Sequence, residues 1–301
     1  MNPTRREFLA GAAAVAAGCA RGGWGAAAPA APPVAVFSKV YQELKLDFEA
    51  AAELTAEAGL EGIDCPVRPG GEIPPERAAD DMPRYAEALR KRGTGMLLLA
   101  TGITGVDSPH TEPLLRTARK LGIRHYRLGG HPIPKGKTAA DRIPETRARL
   151  KELAALNREI GIGAIFQNHS PGERYLGGDL GVMAEIVKDF DPEQVGVAFD
   201  LGHAIIVHGD DWASHFERLK SHIRVAYVKD VRRPNQFVPF GEGEFGKTDW
   251  FRRLKGIGYA APFSMHIEYD WAGKGNPKTR EALRDTLRRS AAVLRRWWTE
   301  A

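Results

Sequence analysis

From Val34 onward the chain alternates between short apolar runs and longer stretches of helical periodicity. The runs are Val34 to Phe37, Gly62 to Val67, Met96 to Ala100, His125 to Leu128, Ile162 to Phe166, Val195 to Phe199, Val225 to Val228 and Pro262 to Ile267. Near-continuous apolar runs of this length predict strands covered on both faces, as in a parallel sheet flanked by helices. Between them, Phe48 to Ala58, Met82 to Arg92, Glu112 to Leu121, Ala139 to Ile160, Leu180 to Phe190, Trp212 to His222, Asp249 to Ile257 and Lys278 to Trp298 predict helices with one buried face. Strand and helix alternate eight times without a break in composition, which predicts a single (β/α)8 TIM barrel over residues 31–301. A doubly wound open sheet is the rival architecture. Gly59, Gly93, Gly122, Gly161 and Gly258 follow helical stretches and predict their C-terminal stops. The strand-to-helix segments 68–81, 129–138, 171–179 and 232–248 are longer than the returns, which suits substrate enclosure on one rim.

Residues 1–30 stand apart as a leader and tether. Arg5 and Arg6 precede an Ala-rich, weakly apolar stretch in the manner of a twin-arginine export signal, so the expected location is the periplasm. Cys19, in Ala16-Ala17-Gly18-Cys19, resembles a lipoprotein processing site with Ala where a larger aliphatic is usual. A lipid anchor there, on the outer side of the inner membrane, and simple removal with the leader both stay open. The apolar part is too short to span a bilayer. Cys65, the one cysteine after the leader, has no partner for an internal disulfide and reads as an inert buried thiol.

The 301 residues are 43% hydrophobic, enough to fill a large core and to exclude disorder as the default. A net charge of +5, part of it in the leader, forms no concentrated basic stripe of the kind that tracks nucleic acid. The expected partner is a small molecule, with no nucleic acid and no membrane span; a homo-oligomer stays open.

Polar clusters close four of the apolar runs: Gln167-Asn168-His169, Asp200-Leu201-Gly202-His203, Lys229-Asp230 and His266-Ile267-Glu268. Strand C-terminal ends on one rim are where a (β/α)8 barrel assembles its active site, and these side chains suit a divalent metal. Asp200 is the expected anionic ligand, and Glu268 both a ligand and the strongest base candidate. Two converging carboxylates repel unless a cation lies between them. His169 shares a strand face with Gln167, and His203 lies three residues beyond Asp200 across a turn read at Gly202; both are acid/base candidates. Lys229 either stabilises a developing enolate or pairs with Asp200, Asp230 or Glu268. Tyr227 reads as a partner for a sugar hydroxyl or as filler, His266 as a buried hydrogen-bonded histidine, and Trp271 as a platform for a sugar ring. Arg127, His131, Lys135 and Lys137 cluster after the fourth run, either binding an anionic substituent or forming a solvated loop. Gly241 to Gly246 fits G-x-G-x-x-G but lacks the strand–turn–helix context of a dinucleotide site, and reads as a turn.

The order of Phe199-Asp200-Leu201-Gly202-His203, Val228-Lys229-Asp230, Gly241-Glu242-Gly243 and Ile267-Glu268 resembles the xylose-isomerase-like TIM-barrel superfamily of sugar isomerases and epimerases, from Val34 to about Leu294. The resemblance implies a divalent ion (Mn, Mg, Co or Zn) held at Gln167, Asp200, Tyr227 and Glu268. Gln167 stands where that family has glutamate, and Tyr227 where it has histidine. An amide has no basicity near neutral pH, which disfavours a symmetric two-carboxylate epimerase. The implied function is an exported metal-dependent enzyme abstracting a proton next to a carbonyl of a carbohydrate. The alternatives are a lyase or hydratase acting on 3-keto-glycosides, and a noncatalytic barrel that binds carbohydrate or a partner.

Overall fold

A computed structural model describes residues 31–170 and 175–301. The leader, with Arg5, Arg6 and Cys19, lies outside the described residues. Seven strands follow in order: β1 (Val34–Phe37), β2 (Gly62–Val67), β3 (Gly95–Thr101), β4 (His125–Arg127), β5 (Gly163–Gln167), β6 (Val195–Asp200) and β7 (Ile223–Val228). A hairpin of β8 (Val231–Arg232) and β9 (Gln236–Phe237) rises from the loop after β7, and β10 (Phe263–Met265) then pairs in parallel with both β7 and β1. The ring closes as β1-β10-β7-β6-β5-β4-β3-β2, all parallel, so the open sheet is excluded.

The helices are α1 (Lys39–Gln42), α2 (Phe48–Glu57), α3 (Ala78–Lys91), α4 (Thr111–Lys120), α5 (Ala139–Ile160), α6 (Leu180–Val187), α7 (Leu201–His208), α8 (Trp212–Leu219), α9 (Trp250–Gly256) and α10 (Arg280–Glu300). Their starts are written in polar side chains. Asp47 accepts from Ala50 N at 2.8 Å, Asp179 caps α6, and Thr138 with Asp141 forms a capping box on α5. All five glycines expected to stop helices have positive φ, 78° at Gly161 for example, a conformation that costs a side chain roughly 1–2 kcal/mol.

One element departs from expectation. The segment after β6, read as a tight turn at Gly202, is helix α7, which begins directly at the strand end with Asp200 as its N-cap. Gly202 has another reason to be glycine: a Cβ there would lie 2.6 Å from Lys229 Cγ and 2.9 Å from the Lys229 carbonyl oxygen. Absence of a side chain lets the lysine-bearing end of β7 pack against the first turn of α7.

Most apolar burial lies between the sheet and the helices, while a smaller cluster of Leu98, Ile165, Ala198, Val225 and Tyr227 fills the ring itself. Buried polar groups tie the layers together. Tyr126 of β4 donates to Asn157 Oδ1 of α5 at 2.9 Å, and Asn157 Nδ2 donates to the Gln194 carbonyl at 2.8 Å. A Tyr126→Phe substitution strands the Asn157 oxygen in the interior and is expected to cost about 1–3 kcal/mol. Urea denaturation measures it; an unchanged midpoint would show that this link carries no stability.

Candidate active site

The ends of β5, β6, β7 and β10 bring Gln167, Asp200, Lys229 and Glu268 to one rim. Asp200 is 0% exposed and Lys229 1%, whereas the Glu268 side chain keeps 29% exposure. The Lys229 ammonium lies 3.1 Å from Asp200 Oδ2, 3.1 Å from Glu268 Oε2 and 2.9 Å from His203 Nε2. The two carboxylates therefore converge on one positive charge, and that charge belongs to the chain.

This geometry tests the implied metal. The ammonium sits between the very carboxylates that would ligate an ion, and Gln167 turns its amide nitrogen, a donor, toward Asp200 Oδ2 at 2.9 Å. Gln167 Oε1, the one oxygen it offers a cation, already accepts from Arg127 Nη1 at 2.7 Å. Tyr227 is fully buried in the ring. Among the described residues no group of three or more His, Cys, Asp or Glu side chains is arranged to hold a metal. The expected ligand set of Gln167, Asp200 and Glu268 thus does not fit a resident divalent ion as the side chains stand. The amide and the ammonium make one consistent arrangement: a glutamate at 167 would face Asp200 across that same distance and repel it, whereas the amide bonds to it.

Burial would raise the Asp200 carboxyl, but Lys229 and the neighbouring histidines hold it below the usual carboxylate value. Glu268 is set the same way, desolvation opposed by Lys229 and His266, and stays ionised. The α7 N-terminus adds a hydrogen bond from His203 N to Asp200 Oδ1 at 3.2 Å. Asn168 fixes the strand end, donating to the Asp200 carbonyl at 2.8 Å and accepting from Asp200 N at 2.7 Å.

His203 is buried, and burial followed by Lys229 pushes its pKa down to about 3. Because the ammonium donates to Nε2, the proton of this neutral imidazole is assigned to Nδ1, which faces Ser170 Oγ at 2.8 Å. His169 packs against His203 with ring centroids 4.1 Å apart and the planes tilted by 34°, and its Nδ1 donates to the Ser170 carbonyl at 2.6 Å. Burial and Lys229 lower its pKa as well, so Nε2 carries a lone pair. On the other side Glu268 Oε1 accepts from His266 Nδ1 at 3.3 Å, with His266 held between Phe37 and Tyr227.

His169, Glu268, Gln167, Arg127, Arg68 and Phe37 line one cavity of about 370 Å³. A larger groove of about 1220 Å³ lies at the opposite end, beside Gly95, His125, Ile223 and Pro262, where the strands begin. Barrel chemistry belongs to the C-terminal rim, so the smaller cavity is the candidate site.

Several expected roles fall away. Trp271 is 6% exposed, gives its indole N–H to Glu43 Oε2 at 3.1 Å and is absent from the cavity wall, so it offers no ring face to a sugar. Tyr227, sealed in the ring, cannot reach a substrate hydroxyl. His203, Lys229 and Asp200 lie behind the wall, and of this cluster Glu268 lines the cavity. Of the basic cluster after β4, Arg127 and His131 reach the cavity while Lys135 and Lys137 stay exposed on the loop. Cys65 is buried, and burial raises its thiol pKa well above the ordinary value, which makes it inert. Arg68 and Phe37 are cavity residues that sequence reasoning missed, although Arg68 directly follows β2 and the strand-end rule applied elsewhere would have found it.

The chain belongs to the xylose isomerase-like TIM barrel family, which residues 52–296 match. No curated protein is significantly similar in sequence. Among solved structures, the probable 3-DHS dehydratase involved in petrobactin synthesis from Bacillus anthracis aligns with TM-score 0.65 at 13% identity, covering 87% of this chain and 98% of that one. D-Psicose 3-epimerase from Clostridium cellulolyticum H10, solved with D-tagatose, gives 0.64 at 17% identity over 87% and 96%. The 3-keto-D-glucoside 4-epimerase from E. coli gives 0.64 at 13% identity over 88% and 98%. At such identities the likeness is one of fold.

Removing the ammonium leaves two carboxylates facing each other. Lys229→Met is expected to cost about 3–5 kcal/mol, and the double variant Lys229→Met/Asp200→Asn to recover part of it, because the fully buried charge is gone and the Glu268 carboxylate left behind keeps 29% exposure and its bond to His266. Denaturant midpoints of the single and double variants check this; a single variant as stable as the parent would contradict the ion-pair assignment.

Proposed function

We propose that the chain is a sugar isomerase/epimerase-like enzyme that moves a proton on the carbon next to a carbonyl, with Lys229 as the fixed cation of its site. The observation that carries this reading is the Lys229 ammonium bridging Asp200 and Glu268 at the wall of a rim cavity. Fold-level likeness to two epimerases and a dehydratase supports it by analogy.

Glu268 is the carboxylate open to the cavity and takes the carbon-bound proton. Lys229 orients and ionises it, and by the same attraction lowers its basicity, so the reaction depends on stabilising the enolate. Arg127 does this: its Nε is buried without a partner among the described residues, and its guanidinium lines the same cavity. The Nε2 lone pair of His169 accepts the proton of the neighbouring hydroxyl. The resulting enediolate regains both protons in exchanged positions, carbon from Glu268 and oxygen from His169, which is a one-base isomerisation. Inversion by two groups fits less well, since ionised Glu268 and neutral His169 both begin without a proton to give. One-base geometry also admits expulsion of a β-substituent, which favours 3-keto-glycoside cleavage as the second reading.

Incubation with aldoses, ketoses and a 3-keto-glucoside in deuterated water tests this. Deuterium is expected at carbon next to the carbonyl, with a loss of about 10²–10⁴-fold in Glu268→Gln. Release of aglycone would select the second reading, and no exchange across the panel would remove both.

Action outside the cytoplasm belongs to the same proposal, supported by Arg5 and Arg6 ahead of the Ala-rich leader. Cell fractionation is expected to recover the protein outside the cytoplasm and to find it retained when both arginines become lysine. Equal recovery of the two forms in the cytoplasm would contradict it.

A further inference from the structure

We infer that Arg68 is an anion-binding arm of this cavity and that the substrate is a sugar acid, its carboxylate held by the Arg68 guanidinium. The inference rests on the proposed function only in taking this cavity as the place where substrate sits.

Arg68 and Arg127 approach the same aromatic ring, their guanidinium carbons 5.8 Å and 5.6 Å from the Phe37 centroid. Arg127 also spends one N–H on Gln167. The Arg68 guanidinium makes no hydrogen bond or ion pair with a described residue. Asp200 and Glu268 share Lys229. Asp64, fully buried, accepts from Ser264 Oγ at 2.7 Å through Oδ2 and forms no ion pair with Arg68, although its Oδ1 has no hydrogen-bond partner among the described residues. Half-burial and the second guanidinium push the Arg68 pKa below its ordinary value, with the buried Asp64 opposing them only in part. Lys39, exposed at the mouth, adds to it. Charge left unpaired in a half-closed site is costly, and an anionic ligand removes that cost.

The loop chemistry favours carboxylate over phosphate. Barrel phosphate sites are built from backbone N–H groups after the seventh and eighth strands. Here the N–H groups of Gly241, Gly243 and Phe245, in the loop after β7, are all taken by the Asp230 carboxylate at 2.8, 3.0 and 3.1 Å. A Cβ at Gly243 would lie 2.2 Å from Asp230 Oδ1, so the loop is closed around that internal anion. The planar fork of a guanidinium pairs edge to edge with a carboxylate or a phosphate alike, and without free backbone N–H groups in this loop to cradle a third oxygen the smaller, planar carboxylate is the better match. Arg127 then faces the reacting carbonyl, next to Gln167 and Glu268, and Arg68 takes the acid group.

Calorimetric titration of the full chain with D-glucuronate, D-glucose and D-glucose 6-phosphate tests the assignment. Glucuronate is expected to bind at least ~10-fold more tightly than glucose, Arg68→Met to remove ~10–100-fold of that affinity, and Arg68→Lys to restore part of it. In the unaltered protein the glucuronate affinity falls with added salt while that for glucose does not, a readout independent of how any variant folds. Glu268→Gln retains glucuronate binding while losing solvent exchange, so the subsite and the chemistry fail separately. Equal affinity for glucuronate and glucose, or a preference that survives Arg68→Met, overturns the proposal. Tighter binding of glucose 6-phosphate than of glucuronate overturns the carboxylate assignment.

Discussion

A carboxylate shut away from water must meet positive charge, and at this rim one ammonium meets two. Each contact at 3.1 Å is worth about 5 kcal/mol at an effective dielectric of about 20, against a desolvation cost of several kcal/mol for each ion. A single buried pair would come close to cancelling. Sharing Lys229 between Asp200 and Glu268, with further hydrogen bonds from Gln167, His203 and His266, tips the balance toward the charged forms.

Much else in the rim follows from that ammonium. Gln167 is an amide because its neighbour is a carboxylate with no ion between them. Gly202 has no side chain because the lysine stem passes over the first turn of α7. His203 stays neutral because it accepts from an ammonium, and the proton it keeps is turned to Ser170. The result is a wall of fixed polarity, with ionised Glu268 and a lone pair on His169 facing the cavity, Arg127 and Arg68 beside them, and the charge that organises them held behind. Lys229 and Asp200 lie behind that wall, and in the proposed reaction contact with substrate falls to the residues the cavity exposes.

The fold was legible because buried parallel strands and amphipathic helices leave unmistakable periodicities, and each predicted run carries a strand. The site was legible in part. Strand-end placement picked out Gln167, Asp200, Lys229 and Glu268, since a one-rim active site makes chain position nearly equivalent to location. What that placement could not give was depth. Tyr227 and Lys229 lie on one strand face, yet the tyrosine sits down in the ring and the lysine reaches the rim. Trp271, three residues past Glu268, turns away toward Glu43. Partner choice was equally hidden: whether Asp200 and Glu268 meet a metal or a lysine depends on a side-chain path across Gly202, a contact between β7 and α7 that no local pattern announces. Arg68 was overlooked because the prolines and glycines after it read as a loop.

The cation between Asp200 and Glu268 is the Lys229 ammonium. Crystals soaked in manganese(II) and measured at an anomalous-scattering wavelength test it most directly. Lysine density is expected within hydrogen-bond distance of both carboxylates, with no anomalous peak between them. A manganese peak ligated by Asp200 and Glu268, with the Lys229 side chain displaced, would contradict it.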